Sequence, residues 1–166
     1  MRKTLLVIAA FLASVIAFDS AAAQPAYVVR KQVSADTARK LVDACVAYSR
    51  QRNTIVGVAV VDIAGVLIDM HLMQGGSATF SDTAILKAKT AAHWQRKTSE
   101  LEDDVNSKRN GASVWIGDFP RSGGVPIVIE GDVAGAIGVG GGGAAEACAL
   151  AAIDAVIGKP AQAAQR

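Results

Sequence analysis

The chain has 166 residues, 51% of them hydrophobic, which is enough for one domain with a buried core. Its 17 basic and 15 acidic residues nearly balance. The chain therefore lacks the basic surface typical of nucleic-acid-binding proteins, and no nucleic acid partner is expected. With only two histidines, a histidine-rich zinc site is excluded.

The first 23 residues have the three parts of a secretory signal peptide. Arg2 and Lys3 form a basic start, residues 5–18 form an apolar run, and Ala21–Ala23 precede the predicted cleavage point. The apolar run is shorter than the roughly 20 residues of a spanning helix, and Asp19 ends it. We therefore expect cleavage, which leaves a periplasmic or secreted chain of net charge +1 with no stable membrane span.

The mature chain divides into a lead-in at 24–33, one domain at 34–158 and a flexible tail at 159–166. Ser34 is a good N-cap for a first helix that ends near residue 52, with apolar residues at helical spacing. The near-continuous β-branched run at 55–63 is typical of a strand covered on both faces. A turn at Ala64 and Gly65 then predicts a hairpin with a second strand at 66–73.

The second half of the chain is predicted to contain further helices and a second hairpin. We predict a helix at 81–96, a short helix at 98–107 with a solvated acidic run at 102–104, a loop at 110–124, strands at 125–130 and 133–139 around a Gly131–Asp132 turn, and a last helix at 144–157. Two hairpins predict an antiparallel sheet, and the helices between and after them must cover its faces. The expected fold is an α+β, layered α/β sandwich.

Cys45 and Cys148 both lie on apolar helical faces. There is no CxxC or CxxCH motif, so neither a paired-cysteine metal site nor covalent haem attachment is expected. Export would allow a disulfide between the two cysteines, and two buried free thiols are the alternative.

A glycine-rich segment precedes the last helix. Residues 138–143 match G-x-G-x-x-G, but a dinucleotide site needs a further strand and an acidic residue, whereas here the chain ends one helix later. Two interpretations stay open for Gly140, Gly141, Gly142 and Gly143. They form an anion-binding nest of backbone N–H groups, or they only permit a tight turn.

The two histidines lie on different predicted elements. Strand alternation places His71 and Met73 on one face, where they form either a soft ligand pair for haem iron or copper, or an ordinary packed strand with histidine at its rim. His93 neighbours Lys89 on an outward helix face, which indicates an oligomer contact, a shallow cofactor site or a plain exposed histidine. Lys87 lies on a third face of the same predicted helix. It is either a binding residue or an ordinary solvated lysine.

Four motifs, taken in chain order, resemble the GlcG/HbpS-like haem-binding family. They are VAVVD-xxG-xL, A-xxK-A-x-T-AA, GGVPI and G-xxx-GAIGV-x-G, and they stand here at 58–67, 84–92, 123–127 and 131–140. The resemblance covers residues 34–157. It implies a profilin-like three-layer fold, small-molecule binding (chiefly haem), and the homo-oligomers formed by some exported relatives. Other relatives are corrinoid-associated domains or products of metabolic operons, and haem ligands differ among relatives, so none is carried over by position.

Two functional hypotheses follow. The first is an exported, non-catalytic haem-binding protein (carrier, sensor or accessory) with iron ligated by His93 or His71, Met73 as a candidate partner, and propionates near Lys87, Lys89 or Gly140–Gly143. The alternative is an enzyme or accessory subunit of a small-molecule catabolic pathway acting on an organic acid or aromatic compound, with its site at Trp115, Asp118, Phe119 and Arg121. A structural subunit that acts through its oligomeric surface is a third interpretation.

Overall fold

The computed structural model describes residues 26–27, 29–109 and 117–158. The predicted signal peptide, Trp115 and the predicted tail lie outside the described residues. Eight elements follow one another along the chain: α1 (Ala35–Arg50), β1 (Gly57–Asp62), β2 (Leu67–Leu72), α2 (Ala78–Trp94), α3 (Thr98–Asn106), β3 (Gly124–Ile129), β4 (Asp132–Gly140) and α4 (Ala145–Val156).

The predicted elements are all present, with two local differences. Helix α2 begins three residues before the predicted start, directly after Ser77, and ends where Gln95 adopts a left-handed conformation with φ of 52°. The second hairpin turns at Glu130 and Gly131 rather than at Gly131 and Asp132. Both turn residues have positive φ, 50° and 86°, as the tightest hairpin turns require, and this leaves Asp132 to pair with Ile129.

The four strands form one open antiparallel sheet in the order β2-β1-β4-β3. Strand β1 is buried along its whole length, as its unbroken apolar sequence predicts. Strands β2 and β3 are the sheet edges. The antiparallel α+β architecture is therefore confirmed.

Helices cover both faces of this sheet. Helices α1 and α4 pack on one face around a core that includes Leu41, Val58 and Ile137. Helix α2 packs on the other face, where Ala88, Ala91 and Ala92 meet Val61 and Ala136. A side chain at Gly138 would collide with the backbone of Ala84 and Ala88, so the contact between α2 and the sheet depends on small residues on both sides.

The first hairpin is held by a buried carboxylate. Asp62 Oδ1 accepts hydrogen bonds from Ala64 N (2.9 Å) and Val66 N (2.8 Å), an arrangement that orders the turn from within. Among the described residues no helix is both long and apolar enough to cross a membrane.

Cys45 of α1 and Cys148 of α4 form a disulfide in the core, across a sequence separation of 103 residues. This resolves the open choice between a disulfide and free thiols. Because the bond closes a long loop in the unfolded chain, we expect Cys45→Ala/Cys148→Ala to lower the free energy of unfolding by about 3–5 kcal/mol. Urea unfolding of the oxidised protein measures this.

Reduction provides the matched control for that prediction. Dithiothreitol should destabilise the wild-type protein by a similar amount and leave the double alanine variant unchanged. Equal stability of the oxidised and reduced wild-type protein would show that the bond does not support the fold.

Candidate functional site

The predicted site residues fall into three separate groups. The first group is His71 on β2 with Met73 directly after the strand. The second is His93 with Lys89 on the exposed side of α2, and the third is Lys87 with Gly142 and Gly143 between α2 and α4. The sequence predicts the element and the helix face of each residue, and the packing of distant segments decides which neighbours each group contacts.

His71 and Met73 lie on the face of the sheet that α1 and α4 cover. His71 is opposite Val58 in the β1–β2 register, and Val58 belongs to the core beneath these helices. Met73 packs against the same core. The predicted alternation therefore agrees with the strand register. It also places His71 on the opposite side of the sheet from His93, so the two imidazoles of one chain do not face a common ligand.

His93 belongs to a compact polar cluster at the end of α2. Its Nδ1 lies 3.2 Å from Oδ1 of Asp118, and Trp94 Nε1 donates a hydrogen bond to Oδ2 of the same carboxylate. The Asp118 side chain is 10% exposed and that of His93 58% exposed. A carboxylate can only accept, so the proton of a neutral imidazole is held on Nδ1. The lone pair of Nε2 is then left for an outside ligand.

A threonine holds the two halves of this cluster together. Thr90 Oγ1 accepts a hydrogen bond from Phe119 N at 2.8 Å and donates to Leu86 O within α2 at 2.8 Å. This fixes residue 118 beside the last turn of α2. Sequence reasoning placed Asp118 in the loop of the alternative site and missed it as the partner of His93, since the 25-residue separation gives no local signal.

The cluster borders a shallow cleft of about 320 Å³ beside the first hairpin. Its remaining walls are Lys89 and the turn at Ile63, Ala64 and Gly65, which Asp62 holds in place. Within the described ranges, the cleft therefore offers an imidazole whose Nε2 has no protein partner and, next to it, an exposed ammonium group.

Lys87 faces away from this cleft and is buried, with 8% of its surface exposed. The interpretation as a solvated lysine is therefore wrong, because this side of α2 packs towards β4. Its Nζ donates to Val139 O at 3.0 Å. Burial lowers the pKa of Lys87, and the nearby Arg121 guanidinium lowers it further, while Glu102 acts in the opposite direction.

A second cleft of about 330 Å³ surrounds this lysine. Arg121 Nη1 lies 2.8 Å from Glu102 Oε1, and Ser122 N donates to Glu102 Oε2. The expectation that the acidic run is solvated fails at Glu102 and Asp104. Asp104 is paired with two arginines of the described chain, Arg96 and Arg109. Helical periodicity does not show these pairs, because Arg96 and Arg109 lie outside α3 and the partners of Glu102 are about 20 residues away.

The four glycines before α4 have two different structural roles. Side chains at Gly140 and Gly141 would collide with Phe80, so these two positions let the chain pass closely over the start of α2. The tight-turn interpretation is therefore sufficient for them. Gly142 and Gly143 instead line the cleft around Lys87. The anion-nest interpretation stays a prediction for these two.

A further groove, of about 560 Å³, contains none of the predicted site residues. It runs along edge strand β3 between α3 and α4 and is lined mainly by apolar side chains such as Val125, Val128 and Leu150. No histidine, methionine, cysteine or tyrosine lines it within the described ranges, so this groove lacks the usual axial ligands of haem iron.

The buried lysine generates a prediction about stability and pH. Since its pKa is lower in the folded protein than the ordinary 10.5, the unfolded chain binds this proton more tightly. The free-energy cost of burying the charged ammonium group is fully present at pH values below the pKa of Lys87 in the folded protein. This cost disappears as the pH rises from that pKa to 10.5. We expect Lys87→Met to stabilise the protein at neutral pH, with a gain that shrinks on the way to pH 10.5.

Urea unfolding of both proteins across that pH range measures the difference. Arg121, Glu102 and Glu146 face the same cleft and are common to both proteins, so the comparison isolates Lys87. Lys89→Met, on the exposed side of α2, controls for the loss of one positive charge. A gain that is constant with pH would contradict the prediction.

The comparisons with known proteins agree with the fold described above. Residues 33–154 match the family described as "Haem degrading protein HbpS-like". Protein GlcG of Escherichia coli K12 is 32% identical over 91 residues, which cover 55% of this chain and 68% of GlcG. The crystal structure of a double mutant of Streptomyces reticuli HbpS has a TM-score of 0.74 at 27% identity and covers 81% of this chain and 94% of that one.

A crystal structure of a PduOC–haem complex is similar as well, with a TM-score of 0.71 at 26% identity, over 75% of this chain and 95% of that one. The fold, the order of the four motifs and the match over most of the domain lead to the same assignment. The chain belongs to the HbpS-like family.

Proposed function

We propose that this protein is an exported, non-catalytic haem-binding protein and that Nε2 of His93 ligates the iron. The observation that carries the proposal is the hydrogen bond between His93 Nδ1 and Asp118. Histidines that ligate metals usually donate their other ring N–H to a carboxylate or carbonyl, which fixes the tautomer and raises ligand basicity. Here the partner is in place, and among the described residues Nε2 has no hydrogen-bond partner.

The chemistry of the donor set favours haem over a bare metal ion. Within the part of the chain that the structure describes, no group of three His, Cys, Asp or Glu side chains could hold a metal ion. A porphyrin supplies four nitrogen ligands of its own, so that one protein imidazole is sufficient to hold the iron.

The surface beside His93 has the apolar and charged groups that a porphyrin requires. Leu86, Lys89 and His93 share one face of α2, and Leu86 is 38% exposed to solvent. Met70 pairs with Ala59 on the same side of the sheet and is also part-exposed. We propose that the ring packs on Leu86 and Met70 and that Lys89 pairs with a propionate.

The relatives support a haem-related role. The family is described as haem-degrading, and the similar PduOC domain was crystallised with haem. Export is supported by the features of the first 23 residues and by the buried disulfide, since disulfides persist mainly in oxidising compartments. We also propose self-association, because a haem on the exposed His93 leaves one face open for a second copy to cover.

Haem titration tests the ligand assignment. We expect His93→Ala to weaken haemin binding by about tenfold or more and to shift the Soret band, because the axial nitrogen is lost. His71→Ala is the matched control and should bind haem as the wild-type protein does, since His71 faces the opposite side of the sheet. Unchanged spectra in His93→Ala would make the assignment wrong.

Two further readings sharpen that experiment. Asp118→Asn should weaken binding by about 10–100-fold with the iron ligand still present, because the hydrogen bond that orients the imidazole is altered.

With ascorbate and air the bound Soret band should persist; its steady loss would contradict the non-catalytic assignment. Light scattering with and without haemin measures the self-association.

Export has its own test. When the full-length protein is produced in a bacterium that has a periplasm, we expect to recover it from the periplasm. Its intact mass should be that of a chain beginning at Gln24. Leu12→Arg interrupts the apolar run and should leave the uncleaved chain inside the cell. Wild-type protein that keeps Met1 in the cytoplasm or membrane would overturn this part of the proposal.

A further inference from the structure

Lys87 carries a buried positive charge that no carboxylate neutralises in the described chain. Its one hydrogen bond is to the neutral oxygen of Val139, at 3.0 Å, and no described Asp or Glu oxygen lies within 4.0 Å of its Nζ. An ammonium group has three donors. Burying a charge without a partner is costly, so the arrangement favours an anion from outside the chain.

The acidic residues of the same cleft already have partners. Glu102 accepts from Arg121 Nη1 and from Ser122 N, both at 2.8 Å. Glu146 accepts from Ser122 Oγ at 3.1 Å and lies 3.5 Å from Lys97 Nζ. Lys87 is therefore the remaining charge in a cleft whose other charged groups are satisfied.

The start of α4 forms another wall of this cleft. Its N-cap residue is Ala144, which has no side-chain oxygen, and no side chain caps the helix there. Gly142, Gly143 and Ala145 line the same space. The first N–H groups of a 12-residue helix favour a negative charge, so an anion placed here would meet both the helix end and Lys87.

We propose that this cleft binds a small organic carboxylate, with its charged end at Lys87 and the start of α4 and its carbon chain on Ala144, Ala145 and Ala147. Among the described residues Glu102 pairs with Arg121 and Glu146 with Lys97, which leaves Lys87 as the one charge of the cleft without an opposite partner. A single negative charge therefore completes the pairing, whereas a divalent phosphate would meet repulsion from Glu102 and Glu146. The volume of about 330 Å³ is at the lower end for ligand sites and suits a few-carbon acid.

This second site is distinct from the haem site proposed above. Lys87 and Lys89 are two residues apart on α2 and so point about 200° apart around its axis. Lys87 is buried beside β4, and Lys89 is exposed beside the first hairpin. The carboxylate proposal does not depend on haem binding and fails or succeeds separately from it.

Thermal unfolding with sodium butyrate tests the site, against sodium chloride at equal ionic strength. We expect 20 mM butyrate to raise the Tm of the wild-type protein and of Lys89→Met by about 3 °C, because a ligand that binds only the folded state stabilises it. Lys87→Met should fold and show no butyrate-dependent shift. His93→Ala should keep the full shift.

A second variant blocks the cleft without touching the lysine. A Cβ at Gly143 would meet no described atom within 4 Å, and Gly143 lines the cleft, so we expect Gly143→Leu to fold and to abolish the butyrate shift. This keeps the test decisive if Lys87→Met fails to fold.

Three results would overturn the proposal. Lys87→Met could keep the wild-type butyrate shift, or sodium phosphate could stabilise the wild-type protein more than butyrate does. Alternatively, Lys87→Met could lose haemin affinity while the wild-type protein shows no butyrate shift, which would assign Lys87 to a haem propionate.

Discussion

The backbone of α2 lies directly on glycines of the sheet, and the rest of the structure depends on this contact. Side chains at Gly57, Gly138 and Gly140 would collide with the backbone of α2 between Phe80 and Ala88. Close approach buries the alanines of α2 and brings the long side chain of Lys87 against β4. It also fixes where the last turn of the helix, with His93, emerges at the surface.

One helix therefore serves two different chemical environments. Its outer side and last turn carry Lys89 and His93 beside a surface cleft, and the Asp118 carboxylate holds the His93 ring. Its inner side carries Lys87, which is enclosed by the sheet and the start of α4. The disulfide between α1 and α4 stabilises the opposite layer and with it the position from which α4 begins.

Much of the fold could be predicted because its signals are local. The continuous β-branched run of β1 agrees with burial on both faces, and Ser34 caps α1 by accepting a hydrogen bond from Thr37 N, as its position predicts. The turn of the second hairpin was predicted one residue too late, since Glu130 adopts a positive φ that its residue type does not favour.

The candidate site was less predictable for a physical reason. Burial of Lys87 depends on segments that lie 52 residues away, and the partner of His93 lies 25 residues away. Helical periodicity gives each side chain a direction but not the neighbour it meets. The pairing of Glu102 with Arg121 was missed for the same reason, because a charged run in sequence does not show which cation will approach it.

By itself, the sequence determined the order and type of the elements and the family. It also identified the two histidines as candidate iron ligands and the two cysteines as a candidate disulfide. These follow from propensity, periodicity and motif spacing, which act over a few residues. Only the tertiary structure decided that Cys45 meets Cys148, that His71 and His93 lie on opposite sides of the sheet, and that Lys87 is a buried charge. Such facts depend on which distant surfaces pack together, and that is settled by the shape of the whole core.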